Sequence, residues 1–241
     1  MRGETARELM DFSNRHVLVT GGTGALGTAV VGALLQAGAH CHVPFRDDSV
    51  SPHFEHARNA NVTLHAGIEL ADEARVEKLY AALPAPWASI HLAGGFAASA
   101  ITETSKTELM QQLDTNLVSA YLCAREAVRK MAGAGGGRIV NVAARPALEP
   151  RLGAGMTAYA LSKAGVAALT AALAAEVVAQ NILVNAVAPS IMDTPANRAA
   201  MPKADHAKWP KVEDVAATIL FLASPENRVT RGAVVPVYGQ S

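Results

Sequence analysis

The chain has 241 residues, half of them apolar, and its 21 basic and 21 acidic side chains give a formal net charge of zero. That balance gives no support to a nucleic-acid-binding surface or a polybasic membrane patch. A chain of this length can bury one large core, so we expect a single domain at residues 15–241 after an N-terminal extension at residues 1–14.

The N-terminal residues and the cysteines indicate where the protein works. The first fifteen residues mix charges and lack the apolar core of a secretory signal, and no uninterrupted apolar run approaches the length of a membrane span. Cys41 and Cys123 lie far apart and form no CxxC pair, which is typical of a reduced protein. No spacing suggests a metal site. We therefore expect a cytoplasmic protein without a bound metal.

Short β-branched or apolar runs alternate with helix-length amphipathic segments along the whole chain. The runs predict strands at residues 16–20, 40–44, 62–66, 89–92, 138–143, 183–188 and 234–238. Helices are expected at residues 25–37, 72–83, 106–131, 157–178 and 211–223. This alternation favours an α/β fold, a single doubly wound (Rossmann) parallel sheet of about seven strands with helices on both faces.

A glycine-rich turn follows the first predicted strand. Gly21, Gly24 and Gly27 recur at every third position, with Thr23 and Leu26 between them, and the next helix begins inside this motif. Glycine permits a tight turn and close approach of the backbone to a pyrophosphate, whose charge is stabilised by the free amides of a helix N-terminus. Glycines at this spacing also make plain turns, but a position between strand and helix favours a bound dinucleotide.

The end of the second predicted strand bears on which dinucleotide is bound. A carboxylate there accepts hydrogen bonds from the adenosine ribose, whereas an arginine pairs with a 2'-phosphate. Counting from Gly38 puts the strand tip at Phe45 with Arg46 next, which predicts NADP(H). A shift of one or two residues would bring Asp47 to the tip and favour NAD(H), and Arg46 would then be an ordinary surface charge.

Tyr159 and Lys163 lie four positions apart in a predicted helix, so their side chains share one face. A free tyrosine has a pKa of about 10, and a nearby cation favours the phenolate. A phenol in this setting can give a proton to a carbonyl or imine during reduction and take it back during oxidation. We therefore interpret Tyr159 as a catalytic acid/base and Lys163 as the group that lowers its pKa.

Taken together and in this order, the motifs resemble the short-chain dehydrogenase/reductase family over about residues 15–241. The matching pieces are the Thr-Gly-Gly-Thr-Gly-Ala-Leu-Gly run at 20–27, Glu69 and Leu70 followed by Asp72, the His-Leu-Ala-Gly run at 91–94, Asn116, Tyr159, Lys163, and the Asn-Ala-Val-Ala-Pro run at 185–189 leading to Thr194. The family usually has Asn-Asn-Ala-Gly where this chain has residues 91–94.

The resemblance implies roles for several of these residues. Lys163 would bind the nicotinamide ribose, and Asn116 would hold a proton-relay water near it. Cofactor contacts are also implied for Glu69, Leu70, Ala93, Gly94, Tyr159, Pro189, Met192 and Thr194, the last two at the carboxamide. Two plainer interpretations stay open, since Asn116 could simply cap or kink its helix and Thr194, before Pro195, could simply shape a turn.

One position departs from the family pattern, because Ala144 stands where a catalytic serine is ordinarily found. Losing one donor to a developing oxyanion typically costs about a hundred- to a thousandfold in rate. Another group could donate instead, with Arg145 and Thr157 nearest in sequence, although Arg145 could equally point into water. Alternatively, the substrate does not need this donor, or the protein does not catalyse. Ala144, Arg145 and Tyr159 are therefore the expected substrate-side residues.

A substrate that does not need this donor has a precedent in the dihydropteridine reductases, which this chain resembles. These enzymes keep the tyrosine and lysine, lack the serine, and have an Ala-Gly-Gly-aromatic run like residues 93–96. Their substrate accepts hydride into a conjugated C=N system. We therefore expect an NADP(H)-dependent oxidoreductase acting on a small carbonyl or conjugated imine-like substrate. A quinonoid reductase using NADH and a non-catalytic dinucleotide-binding sensor or scaffold are the alternatives.

The Ala- and Leu-rich helices predicted at residues 106–131 and 157–178 would permit close packing against a second copy of the chain. Relatives often assemble in this way, so a homodimer or homotetramer is expected. The other possibility is that these helix faces only cover the sheet, which apolar composition cannot distinguish.

Overall fold

A computed structural model describes residues 10–46 and 54–241. Its sheet has seven parallel strands in the order β3-β2-β1-β4-β5-β6-β7. The strands are β1 His16–Thr20, β2 His40–Pro44, β3 Val62–His65, β4 Ala88–His91, β5 Gly137–Val142, β6 Ile182–Pro189 and β7 Val234–Val237. The predicted single doubly wound parallel sheet is confirmed, and each predicted strand lies within one or two residues of its observed position.

The helices of the described residues are α1 Ala25–Gln36, α2 Glu73–Ala82, α3 Lys106–Leu113, α4 Ser119–Ala132, α5 Arg145–Leu148, α6 Thr157–Glu176, α7 Pro195–Ala200 and α8 Val212–Ala223. The helix predicted at residues 106–131 is divided by a π-helical turn at Asp114–Val118. Helices α5 and α7 were not predicted, because a helix of four or six residues is too short to show a helical period.

Helices cover both faces of the sheet. Val30 of α1 and Ile219 of α8 pack on one face, whereas Leu79 of α2 and Met131 of α4 pack on the other. All eight residues of β6 are buried, as expected for a strand covered on both sides. The strand order reverses between β1 and β4, and in open α/β sheets the ligand crevice lies at the carboxyl ends of the strands at such a point.

The domain begins earlier than the sequence predicts. Phe12, which we placed in the N-terminal extension, is fully buried in the core, and its backbone N–H donates to the carbonyl of Ala37 at 2.8 Å. The boundary at residue 15 is therefore wrong by at least three residues. Composition could not show this, because a single phenylalanine in a charged segment carries no periodic signal.

Helix α6 is, among the residues that the structure describes, the one helix long and apolar enough to cross a membrane. In this fold its inward side carries Lys163, Val166 and Ala174, all buried. The core helix of a globular domain passes the same test of length and composition, so α6 is weak support for a membrane span.

Candidate active site

The carboxyl ends of β1, β2 and β4 open into a groove of about 440 Å³. Eight predicted cofactor residues line it, namely Gly21, Thr23, Gly24, Arg46, Glu69, Leu70, Ala93 and Gly94. Pro44, Phe45, Ile68, Leu92, Thr115 and Ser119 complete the lining. The structure thus brings together residues from five separate parts of the sequence.

The glycine turn forms the floor of the groove at the start of α1. Gly21 has a φ of +66°, and a Cβ there would lie 2.7 Å from the backbone nitrogen of Ala93. Gly24 is the N-cap of α1 and provides no side-chain cap, and the first turn carries no acidic residue. The amide groups at the start of α1 are therefore not capped by a side chain and suit a pyrophosphate.

Two residues of the motif support the turn without lining the groove. A Cβ on Gly27 would overlap the carbonyl oxygen of Gly21, so the close contact between helix and turn requires glycine. Leu26 is buried in the core beside α1. The start of α1 turns the side chain of Leu26 inward, away from the groove, and a cofactor contact through its backbone stays a prediction.

Arg46 lies at the rim of the groove just beyond β2. Its guanidinium is 3.6 Å from the carboxylate of Glu69, and the two side chains are 72% and 44% exposed. An ion pair this exposed contributes little to stability and can open at small cost. Asp47, the residue that would favour NAD(H), lies outside the described residues.

Tyr159 is half-buried on α6, where its ring meets that of Phe96 edge-on at 5.0 Å between centroids. Burial raises the pKa of Tyr159 to about 12. The sequence predicts the opposite shift, and that expectation is wrong for this structure because removal from water penalises the phenolate. At neutral pH the phenol holds its proton.

Lys163 is buried on the same helix, and its Nζ donates to the carbonyl of Val142 at the end of β5 at 2.8 Å. Burial lowers the pKa of Lys163 to about 8, so the ammonium form still predominates at neutral pH. A Cβ on Gly94 would lie 3.3 Å from this Nζ. The ammonium therefore lies between the end of β5 and the groove.

Asn116 lies in the π-helical turn and is fully buried. Its Oδ1 accepts from the N–H of Gly95 at 2.9 Å, and its Nδ2 donates to the carbonyl of Gly95 at 3.0 Å and to Ser162 Oγ at 3.1 Å. Such π-turns frequently occur at functional sites. The side chain joins the β4 loop to α6, which is a bracing role, and the relay role stays a prediction.

Ala144 is buried directly after β5, at the N-cap of α5. Arg145 does not face the substrate as a hydrogen-bond donor. Its Nε and Nη2 donate to the two carboxylate oxygens of Glu149 at 2.9 and 3.3 Å, and its Nη1 donates to the backbone oxygen of Ser241 at 2.6 Å. With its donors engaged in this way, the predicted substrate contact of Arg145 is not supported. Thr157 begins α6 and is exposed.

The turn after β6 carries the residues expected at the carboxamide. Pro189 ends β6, and the backbone oxygen of Met192 accepts from Asn197 Nδ2 at 2.8 Å. The Thr194 hydroxyl accepts from the N–H of Asn197 at 3.2 Å and so caps α7. Thr194 therefore shapes a turn, as the plainer interpretation predicts, and its carboxamide contact stays a prediction.

His91, which replaces the family's usual asparagine, is part of a buried polar chain that the sequence analysis missed. Its Nδ1 is 2.8 Å from Asn141 Oδ1, its Nε2 is 2.9 Å from Ser89 Oγ, and Ser89 in turn contacts Tyr80. Burial lowers the pKa of His91 to about 4, so the imidazole is neutral at pH 7. The alternation of polar and apolar residues in β4 was the available signal.

Comparison with known proteins agrees with this geometry. The family described as short chain dehydrogenase matches residues 15–205. A 3-oxoacyl-[acyl-carrier-protein] reductase of Pseudomonas aeruginosa is 31% identical over 95% of this chain and 98% of its own length. A galactitol 2-dehydrogenase of Rhizobium johnstonii is 31% identical over 94% of each chain.

Solved structures give the same result. A Burkholderia thailandensis oxidoreductase of the short-chain dehydrogenase/reductase family superposes with a TM-score of 0.84 at 27% identity, covering 93% of this chain and 91% of its own. A Beutenbergia cavernae protein, provisionally assigned as an NAD(P)-dependent gluconate 5-dehydrogenase and holding NADP at low occupancy, gives 0.85 at 28% identity, with 95% and 97% covered.

The fold and the site define a dinucleotide-dependent oxidoreductase of the doubly wound class. The chain belongs to the short-chain dehydrogenase/reductase family.

Proposed function

We propose that this protein is an NADP(H)-dependent oxidoreductase that transfers hydride to or from a small carbonyl or conjugated imine-like substrate. The observation that carries the proposal is the placement on α6 of a half-buried phenol at Tyr159 and, one helical turn later, a buried ammonium at Lys163 beside Gly94 of the groove. The groove itself suits a dinucleotide, because its floor has uncapped helix amides and a glycine where a side chain would fill the space. When bound, the nicotinamide supplies or accepts the hydride.

Tyr159 carries the proton in this scheme. In the reductive direction its phenolic oxygen gives a proton to the substrate oxygen or nitrogen, and in the oxidative direction it takes the proton back. A phenolate is costly in this buried position, since burial alone places the pKa at about 12. The positive charge of Lys163 on the same helix face lowers that cost in the transition state.

Asn116 and Gly94 complete the site beside the lysine. A Cβ on Gly94 would lie 2.7 Å from Asn116 Oδ1 and 3.3 Å from Lys163 Nζ, so only glycine leaves room at this wall. In the proposal Asn116 also helps to hold the water that relays protons near Lys163. Its buried hydrogen bonds to Gly95 and Ser162 keep that wall fixed.

The preference for NADP(H) over NAD(H) rests on Arg46. This guanidinium lies at the rim of the groove beyond β2, where a 2'-phosphate would be met, and its partner Glu69 is exposed and easily displaced. Supporting this preference, the related Beutenbergia cavernae structure contains bound NADP.

The substrate side favours an acceptor that needs no serine-like donor. Ala144 offers no hydroxyl, and the exposed ring of Phe96 lies edge-on to Tyr159, where it can contact a flat substrate. A conjugated imine-like acceptor satisfies both conditions, which keeps the alternative of a quinonoid reductase using NADH open.

A panel of acceptors tests the function. Oxidation of NADPH and of NADH is followed with small ketones, with 3-oxoacyl thioesters and with quinonoid pterins. The proposal predicts turnover with at least one acceptor and a higher kcat/KM with NADPH. Tight NADPH binding without oxidation on any acceptor would instead support the sensor or scaffold, and higher efficiency with NADH would overturn the cofactor preference.

The assembly we propose is a homodimer or homotetramer that pairs α4 and α6 with a second copy. These helices expose Tyr121 and Leu161, which are 52% and 55% accessible. Sedimentation equilibrium of the wild type and of a Leu161→Glu variant tests this, because a charge in an apolar helix interface should dissociate the assembly.

A further inference from the structure

Residues 238–241, which follow β7, connect three segments on the substrate side of the site. The carbonyl of Tyr238 accepts a hydrogen bond from Ser190 Oγ at 2.9 Å, directly after β6. The N–H of Gln240 donates to the carbonyl of Lys208 at 2.9 Å. The backbone oxygen of Ser241 accepts from Arg145, directly after Ala144.

Arg145 anchors this segment from several directions. Besides its bond to Ser241 at 2.6 Å, its guanidinium lies over the ring of Tyr238, 4.7 Å from the centroid, and forms a two-pronged pair with Glu149. A planar guanidinium suits such simultaneous pairing and stacking, and a lysine does not reproduce it. This anchor joins positions 96 residues apart in the chain.

Tyr238 also packs against a small apolar cluster that includes residues of β6, of α6 and of the segment after β5. The cluster contains Ala143, Val166 and Ala188. Ala143 precedes Ala144, which stands where the family ordinarily has its serine, and Val166 lies one helical turn after Lys163. The segment therefore contacts the ends of β5 and β6 and the catalytic helix together.

Gly239 fits the segment tightly to the outer wall of the substrate entrance. It has a φ of +64°, and a Cβ there would lie 2.7 Å from the carbonyl of Lys208 and 2.9 Å from the nitrogen of Pro210. Pro210 in turn accepts from the N–H of Asp193, next to Thr194. Displacement of Gly239 would therefore be transmitted to the turn that follows β6.

We propose that residues 238–241 are a brace that positions the substrate wall, and that Arg145 is the positioning residue that anchors it. The proposal rests on the proposed oxidoreductase function and deepens it. Arg145 thus affects the substrate through the brace, without contacting it, and the segments after β5 and β6 hold their places relative to Tyr159 because the brace joins them.

The test uses the full chain with four variants, Gly239→Ala, Gly135→Ala, Arg145→Gln and Arg145→Lys. Gly135 is the matched control, since it has a φ of +89° but nothing within 4 Å of a Cβ, so it carries the same backbone strain without the clash. For each protein we would measure kcat and KM with the best acceptor. Affinity for 2'-phospho-ADP-ribose, which lacks the nicotinamide, reports the far end of the groove.

Gly239→Ala and Arg145→Gln should each lower kcat/KM roughly tenfold or more, because small displacements of a substrate wall are costly to turnover. Arg145→Lys should recover only part of the loss, and 2'-phospho-ADP-ribose affinity should stay within about twofold, because that end of the groove lies on the β1–β2 side. Gly135→Ala should match the wild type in kinetics.

Equal kinetics for Gly239→Ala and Gly135→Ala would overturn the brace. A loss confined to the Arg145 variants would also overturn it, and would assign Arg145 a direct substrate contact. If no acceptor is turned over, the proposed function fails separately, and amide hydrogen exchange then decides the brace. Faster exchange at residues 190–210 in Gly239→Ala than in Gly135→Ala supports it, and equal exchange overturns it.

Discussion

The cofactor side and the substrate side of this site are built by different kinds of contact. Beyond β1, β2 and β4 the floor of the groove is formed by glycines and helix amides within a short sequence motif. Beyond β5 and β6 the wall is held by side chains joining distant positions, such as Arg145 to Ser241. Changes on one side should therefore alter dinucleotide affinity, and changes on the other should alter substrate kinetics.

The largest separation of the two sides is expected from Gly27→Ala. The added methyl group would overlap Gly21, so the turn must move away from the pyrophosphate position. We expect the Kd for NADPH to rise by about a hundredfold or more, since the helix amides and the close backbone approach are both lost. Fluorescence titration of NADPH measures this.

Gly133→Ala is the control for that variant, because Gly133 has an ordinary φ of −78° and the nearest atom to a Cβ lies at 4.0 Å. It should bind NADPH as the wild type does. Unchanged affinity in Gly27→Ala would mean that the glycine turn does not hold the cofactor.

This difference between the two sides also explains how much the sequence could predict. The seven strands and the groove residues from Gly21 to Gly94 were predictable, because periodicity and short motifs encode local structure. The pKa of Tyr159 was not, since helical spacing gives the face of a side chain but not its depth of burial. Nor was the partner of Arg145, because no pattern links it to a residue 96 positions away.

His91 lies between the cofactor side and the substrate side, and it makes the stability of the protein depend on pH. His91 links β4 to β5, and its pKa of about 4 lies below the ordinary value of 6.5. As the pH falls, His91 therefore binds a proton in the unfolded chain before it does so in the folded chain. The contribution of neutral His91 to the free energy of unfolding is full above pH 6.5 and is lost progressively below it. Between pH 6.5 and pH 5 the free energy of unfolding falls by about 2 kcal/mol for this reason.

Urea unfolding of wild type and His91→Asn at pH 7.5 and pH 5 isolates that contribution. The drop in the free energy of unfolding should be smaller in His91→Asn by about 2 kcal/mol. His42 is present in both proteins and its own lowered pKa cancels in the comparison. An equal drop in the two proteins would show that folding does not lower the pKa of His91.

A smaller effect is expected at the rim of the groove. Arg46→Ala should weaken NADPH roughly tenfold and leave NADH nearly unchanged, because a hydrogen bond to a charged group contributes about 1.5–3 kcal/mol. Glu69→Gln should strengthen NADPH slightly, since it removes the carboxylate that competes for Arg46. Kd values for both dinucleotides measure this, and equal weakening of the two would assign Arg46 no role in the preference.

The smallest effect is expected for Ala144→Ser. The native acceptor, in our proposal, does not use a donor at this position, so kcat should stay within about threefold of the wild type, far from the hundredfold or greater effect of a used oxyanion donor. The measurement is kcat with the best acceptor of the panel. A large gain would show that the native reaction lacks a donor that it needs.

In the proposed mechanism Tyr159 moves the proton, and the groove supplies most of the dinucleotide binding. Tyr159→Phe removes only the phenolic hydroxyl, so kcat should fall by about a thousandfold, within the range for loss of a general acid. The Kd for NADPH should stay within about threefold of the wild type if, as proposed, the groove supplies most of the binding. Turnover that survives in Tyr159→Phe would rule out this proton donor, and a folded wild type that binds neither dinucleotide would rule out the proposed function.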